Sequence, residues 1–285
     1  MKKIFKYFLQ SIFIYLFFLI GRLLGLKASR KLFASLFSLI GPFFKSKTIV
    51  KRNLNILSQT ISELNEKKIT KNMWENYGKT FIEYIYLDFF RNNTSHMHIM
   101  NSDILTEILK ENKSVIFVSG HFANFELMSM EITKKNISLA TIYRPLNNFF
   151  LNPLMEYLRK KYVCSNQIKK GVNGVREAIE YIKNDYSIAL MVDQRVSEGE
   201  KINFFGKPAL TTTLPAKLSL KFGLDIIPVY IQREKNNNFK IEFKKRIRPE
   251  NFKNDLEITQ EVNNVIEKMI IDNPDQWIWS HNRWK

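Results

Sequence analysis

Residues 7–26 carry only three markedly polar side chains, Gln10, Ser11 and Arg22, and residues 12–20 are nine apolar residues in succession. A membrane-spanning helix needs about 20 apolar residues, so this run stands at the threshold. Lys2, Lys3 and Lys6 at one end and Arg22 near the other suit a shallow or tilted anchor whose charged ends reach the headgroups. Gly21-Arg22-Leu23-Leu24 makes a poor cleavage site, which favours a retained anchor over a removed signal peptide. The competing reading is a buried core helix. The lysines ahead of the run predict a cytoplasmic N-terminus. On this basis residues 1–26 are read as a membrane-anchoring helix.

Charge narrows the partners. The chain has 44 Lys and Arg against 27 Asp and Glu, a net charge of +17 over 285 residues. Such a field favours nucleic acid, an anionic membrane surface or an acidic protein. No helix-turn-helix, RNA-binding or zinc-finger pattern is present, and nucleic-acid binding leaves the apolar N-terminus unexplained. Lys27, Arg30, Lys31, Lys45, Lys47, Lys51 and Arg52 instead read as a surface for anionic headgroups. The single cysteine, Cys164, excludes an intrachain disulfide and a cysteine-based metal cage.

Residues 32–44 repeat apolar side chains at three- and four-residue steps, as do residues 69–91, predicting helices. From residue 103 the pattern alternates. Strands are predicted at residues 114–119, 139–143, 188–192, 226–232 and 239–244. Helices are predicted at 103–111, 124–135, 153–161, 174–184, 213–222 and 257–271. This alternation, with strands apolar throughout, predicts an α/β fold whose mostly parallel central sheet is covered by helices. The expected organisation is an anchor (1–26), a helical membrane-facing extension (27–102) and an α/β catalytic domain (103–285).

The segment with most chemical content is Ser119-Gly120-His121-Phe122-Ala123-Asn124-Phe125-Glu126, directly after the most apolar strand. Open α/β sheets place their sites at that end. On one continuous helix His121 and Glu126 would point about 140° apart. They meet only if His121 lies in the strand-to-helix turn and Glu126 in the first helical turn, with Asn124 as the cap. The carboxylate would then fix the imidazole tautomer and leave the other ring nitrogen as a base. No nucleophilic Ser or Cys stands beside the pair, so it suits direct deprotonation of an alcohol that attacks a thioester. His96 and His98 lack ligand partners at suitable spacing and are read as exposed loop residues, so no metal and no cofactor is expected.

At these residues the sequence resembles the lysophospholipid acyltransferase-like superfamily, with its His-x4-Asp/Glu motif. It is most similar to the late acyltransferases of lipid A biosynthesis. Further matches are Arg52-Asn53-Leu54, Tyr143-Arg144-Pro145, Arg159, Met191-Val192-Asp193-Gln194, Phe204-Phe205-Gly206 and the ending Trp279-Ser280-His281-Asn282-Arg283. The resemblance implies transfer of a fatty acyl chain from acyl carrier protein to a hydroxyl of a lipid A precursor. It implies His121 as general base with Glu126, and Arg159 and Asp193 as substrate-binding residues at the site; Arg144, which after a strand can sit near a phosphate or the thioester oxygen, and Asn124 are further substrate-binding candidates. The expected location is the cytoplasmic side of a bacterial inner membrane. Two departures stand out: Ala123 replaces a common Gly, and Gln194-Arg195 differs from the best-known members, which leaves the acceptor open. Alternatives are another glycolipid or a lysophospholipid as acceptor, with a coenzyme A thioester as donor. A non-enzymatic basic membrane- or nucleic-acid-binding protein is the remaining rival. Trp277 and Trp279 are read as a C-terminal plug against the sheet, and Phe149 and Phe150 as candidates for an acyl groove or lipid contact.

Overall fold

The computed structural model describes residues 2–44, 47–61 and 64–285; Lys45, part of the basic cluster, lies outside them. The first helix, α1 (Lys2–Phe44), joins the anchor to the segment after it, but Gly25 breaks its path with φ 75° and ψ 161°. Glycine tolerates that backbone without a Cβ clash. Along a straight helix Phe17 and Phe33 would stand about 24 Å apart; the bend brings their rings to 5.6 Å. The resulting pair of arms packs on α3 (Glu66–Glu83) through Phe18, Phe33, Phe37 and Phe81. The contact is close: a Cβ on Gly78 would lie 2.1 Å from the carbonyl oxygen of Phe33.

α1 is long and apolar enough to cross a membrane, and only 17% of its most apolar window is buried. A core helix would be covered; here Leu19, Leu23, Leu39 and Phe43 face outward. Arg30 departs from the headgroup reading. It is buried, and its Nε donates 2.6 Å to Oε1 of Glu83, which Arg233 also contacts. Phe149 and Phe150 pack edge-on against Tyr7 and Phe8 of α1, and Asn148 donates 2.9 Å to the carbonyl of Tyr7.

After α2 (Lys47–Leu57) and α3, a 3-10 turn (Tyr84–Tyr86) interrupts the helix predicted over 69–91 before α4 (Leu87–Asn92). The sheet then begins earlier than expected. β1 (Met97–Met100) pairs in parallel with β9 (Phe239–Phe243), so the boundary placed at residue 103 falls after the first strand. The other strands are β2 (Ile116–Ser119), β3 (Leu139–Tyr143), β4 (Asn166–Lys169), β5 (Ser187–Met191) and β8 (Ile226–Arg233). Their order is β1-β9-β8-β2-β5-β3-β4 in one seven-stranded sheet, parallel except between β8 and β9. β6 (Glu200–Phe204) and β7 (Lys207–Thr211) form a separate hairpin.

Helices cover both faces, as the apolar strands require. α8 (Val172–Lys183), α9 (Leu214–Phe222) and α10 (Asp255–Asp272) bury Ala178, Leu218 and Ile266 against Ile188, Leu190 and Ile226. α5 (Asp103–Glu111) and α6 (Glu126–Lys134) bury Leu105, Ile108, Leu127 and Ile132 against Phe117, Ala189 and Val229 on the other. β2, buried at all four positions, runs through the centre.

Candidate active site

β2 and β5 are neighbours, with Ser119 opposite Met191, and Val192 N–H donates 2.9 Å to the carbonyl of Ser119. Carrying that register two residues past the strand ends sets His121 opposite Asp193. The two side chains meet there: Nδ1 of His121 lies 2.7 Å from Oδ1 of Asp193. Oδ2 of Asp193 accepts from the backbone N–H of His121 at 2.9 Å and from Nε1 of Trp277 at 2.8 Å. Burial by itself would raise the Asp193 carboxyl, but the charge of His121 and these hydrogen bonds prevail and hold it at about 2. An ionised carboxylate only accepts, so Nδ1 carries the proton and Nε2 is left as the basic nitrogen.

The turn bearing His121 is tight. Phe122 N–H donates to the carbonyl of Gly120 at 2.8 Å, and a Cβ on Gly120 would lie 2.7 Å from the Phe122 ring. Ala123 adopts φ 43°, the left-handed region in which glycine is the least strained residue. Its carbonyl accepts from Oγ1 of Thr80 at 2.8 Å. Asn124 is not the cap of α6; Phe125 occupies that position, and Nδ2 of Asn124 donates 3.0 Å to Glu83 instead. Glu83, fully buried between Arg30 and Arg233, thus ties the turn to α1 and β8.

Glu126 stands in the first turn of α6, as expected, but does not hold His121. Its Oε1 accepts from Nε and Nη2 of Arg159 at 2.8 and 2.6 Å and from Tyr84 Oη at 2.6 Å. The physical reason is competition: a guanidinium offers two charge-assisted donors, and the register of β5 supplies His121 with another carboxylate. Arg159 begins a π-helical turn (Arg159–Val163) that extends α7 (Asn152–Leu158), and its guanidinium lies over Tyr84 and Tyr143. Burial lowers the Arg159 pKa, but Glu126 outweighs it and raises the group overall.

His121 is one-fifth exposed and borders a small recess. Met73, Tyr77 and Thr80 of α3, Phe125 and Trp277 form much of its wall. The Phe125 ring meets the imidazole edge-on at 4.7 Å. This arrangement can bring a hydroxyl to a nitrogen base beside an apolar lining. Arg144 lies elsewhere on the rim, exposed and one residue past β3.

Trp277 as a ligand of Asp193, Tyr84 as a partner of Glu126, and Glu83 escaped the sequence reading. Trp277 and Trp279 are buried, as the plug reading has it. Asn53 explains the adjacent motif: its Nδ2 donates to the carbonyls of Trp279 and His281 at 2.8 and 2.7 Å, clamping the tail that carries Trp277. His96 is buried between Phe89 and Phe90 rather than exposed, and burial lowers its pKa to about 4. Among the described residues no group of three or more His, Cys, Asp or Glu is placed to hold a metal ion.

The bacterial lipid A biosynthesis acyltransferase family matches the chain over residues 2–285. The lipid A biosynthesis palmitoleoyltransferase of Escherichia coli K12 is 26% identical over 257 residues, covering 86% of this chain and 80% of the relative. The lipid A biosynthesis lauroyltransferase of the same organism is 23% identical over 245 residues, covering 83% and 78%. Among solved structures, the 1-acyl-sn-glycerophosphate acyltransferase of Thermotoga maritima matches with TM-score 0.42 at 15% identity, covering 87% of this chain and 99% of that one.

Proposed function

Because the chain belongs to the bacterial lipid A biosynthesis acyltransferase family, we propose that it moves a fatty acyl chain from acyl carrier protein to a hydroxyl of a lipid A precursor, with His121 as general base. The observation that carries the mechanism is the 2.7 Å contact between His121 Nδ1 and Asp193. With Nδ1 engaged, Nε2 takes the proton from the acceptor hydroxyl. The alkoxide oxygen bonds to the thioester carbonyl carbon, the C–S bond breaks, and the imidazolium returns its proton to the leaving thiolate. No acyl-enzyme forms. Asp193 stabilises the charge that develops on the ring without itself taking the proton.

Glu126 serves this scheme as a positioning group. Its bonds to Arg159 and Tyr84 fasten the start of α6, and hence the turn that aims His121, to α7 and the helical extension. The outward apolar face of α1 would keep the site beside the bilayer, where a lipid acceptor resides, on the cytoplasmic side of the inner membrane. The +17 charge supports attraction to anionic lipid and to an acidic carrier protein.

The test is acyl transfer by the purified full-length chain in detergent, with carrier-protein or coenzyme A thioesters as donors and a lipid A precursor as acceptor. The expected product is heavier by one acyl group, forms from the carrier-protein donor and is lost in His121→Ala. Absence of that product with the wild-type chain would overturn the assignment.

A further inference from the structure

The strand register that joins His121 to Asp193 extends across the sheet. Ile142 lies opposite Leu190, and Tyr143 opposite Lys169. One residue onward, Arg144 and Lys170 stand side by side at the ends of β3 and β4, and Lys170 N–H continues the ladder by donating 2.8 Å to the carbonyl of Tyr143. Adjacent strands are about 4.8 Å apart. Arg144 therefore lies roughly 10 Å, and Lys170 roughly 15 Å, along the rim from the His121 turn.

Both side chains are exposed, and neither makes a hydrogen bond or ion pair through its charged end among the described residues. Like charges set next to each other repel unless an anion lies between them. The Lys170 pKa is lowered, first by the partial desolvation of its otherwise exposed side chain; Glu198 opposes this, and the charge of Arg144 adds to it. Between this pair and His121 in strand order comes Arg195, two residues past Asp193. Its main-chain N–H donates 3.0 Å to Nε2 of His281, its Nη1 donates 3.4 Å to Oγ of Ser197, and its Nε is buried without a partner. Three cationic residues thus follow the ends of β3, β4 and β5 on one side of the base.

We propose that Arg144, Lys170 and Arg195 form an anion subsite that holds a phosphate of the glycolipid acceptor while a hydroxyl on the same headgroup reaches His121. This rests on the acceptor reading above. Three cations, with Glu198 acting on Lys170 and the neighbouring Lys169 already paired with Glu156, make too small and too mixed a patch for a carrier protein, whose docking needs a broader surface. They match a compact dianion within reach of one sugar headgroup.

The experiment compares a phosphorylated precursor with its dephosphorylated counterpart in the transfer assay, for the wild-type chain and for Arg144→Ala/Lys170→Ala. The wild type is expected to prefer the phosphorylated acceptor. In the double variant that preference in kcat/KM should fall by about tenfold or more, mainly through KM. Titration with inorganic pyrophosphate, followed by intrinsic tryptophan fluorescence or calorimetry, is the second arm, and the double variant should lose this binding. An unchanged preference, pyrophosphate binding that survives the substitutions, or a loss confined to carrier-protein or phosphatidylglycerol-vesicle binding would overturn the subsite. If neither glycolipid is acylated by the wild type, the acceptor reading fails. The pyrophosphate arm then decides alone: binding lost in the variant keeps the anion subsite, and binding absent or unaltered removes it.

Discussion

Asp193 grips His121 at two points, with Oδ1 2.7 Å from the ring Nδ1 and Oδ2 2.9 Å from the backbone nitrogen. Trp277 holds the same carboxylate from the C-terminal tail at 2.8 Å. The ring's tautomer and the turn's geometry therefore depend on one side chain contributed by a neighbouring strand.

Asp193→Asn keeps an acceptor oxygen but removes the charge that supports the imidazolium. Turnover should fall by about 10²- to 10⁴-fold, with little change in KM and an unaltered circular dichroism spectrum. Turnover within threefold of wild type would show that Asp193 does not orient the base.

Acid should weaken the fold through the same residue. The folded Asp193 carboxyl sits at about 2, below its ordinary 3.8. A depressed carboxyl stabilises the folded state above its unfolded pKa, and that stabilisation disappears as pH falls from about 4 toward 2, on the order of 2 kcal/mol. Chemical denaturation midpoints at pH 5 and pH 2.5 should differ more for wild type than for Asp193→Asn. Equal differences would remove this account.

Glu126→Ala leaves the Arg159 guanidinium largely buried without a carboxylate and takes the acceptor from Tyr84. Breaking a buried pair from one side costs about 3 kcal/mol. Removing both charges in Glu126→Ala/Arg159→Met should cost less than the single change, which thermal unfolding can measure. A Glu126→Ala protein that is inactive yet fully stable would instead point to a direct role at the base.

Leu19 and Leu23 are 59% and 79% exposed on the face of α1 turned away from the protein. Leu19→Lys/Leu23→Lys leaves the packing of Phe18 and Gly21 alone but places two charges in that face, each costing roughly 3 kcal/mol in a bilayer interior. Vesicle flotation should show the variant leaving the membrane fraction while its unfolding midpoint holds. Undiminished flotation would mean that α1 does not enter lipid.

The glycines and short strands show why parts of the fold escaped a linear reading. β1 and β4 have four residues each, and β1 is only half-covered, so neither has an apolar run to announce it. The β6–β7 hairpin turns on Phe205 and Gly206, both with positive φ, and a bulky aromatic at such a position gives no turn signal. The bend at Gly25 was equally silent, since a lone glycine in an apolar run is compatible with a straight helix.

Local and periodic features were legible in the chain: the apolar N-terminal helix, the α/β alternation, the strand–turn–helix that presents His121, and the buried tryptophan tail. Those follow from side-chain spacing and backbone preference within a few residues. Which carboxylate faces His121 depends on how the strands are ordered in the folded sheet. Glu126 is five residues away yet belongs to Arg159, whereas Asp193 is 72 residues away and adjacent because β5 lies beside β2. Strand order is a collective outcome of packing both faces of a sheet, and no stretch of chain shorter than the sheet encodes it.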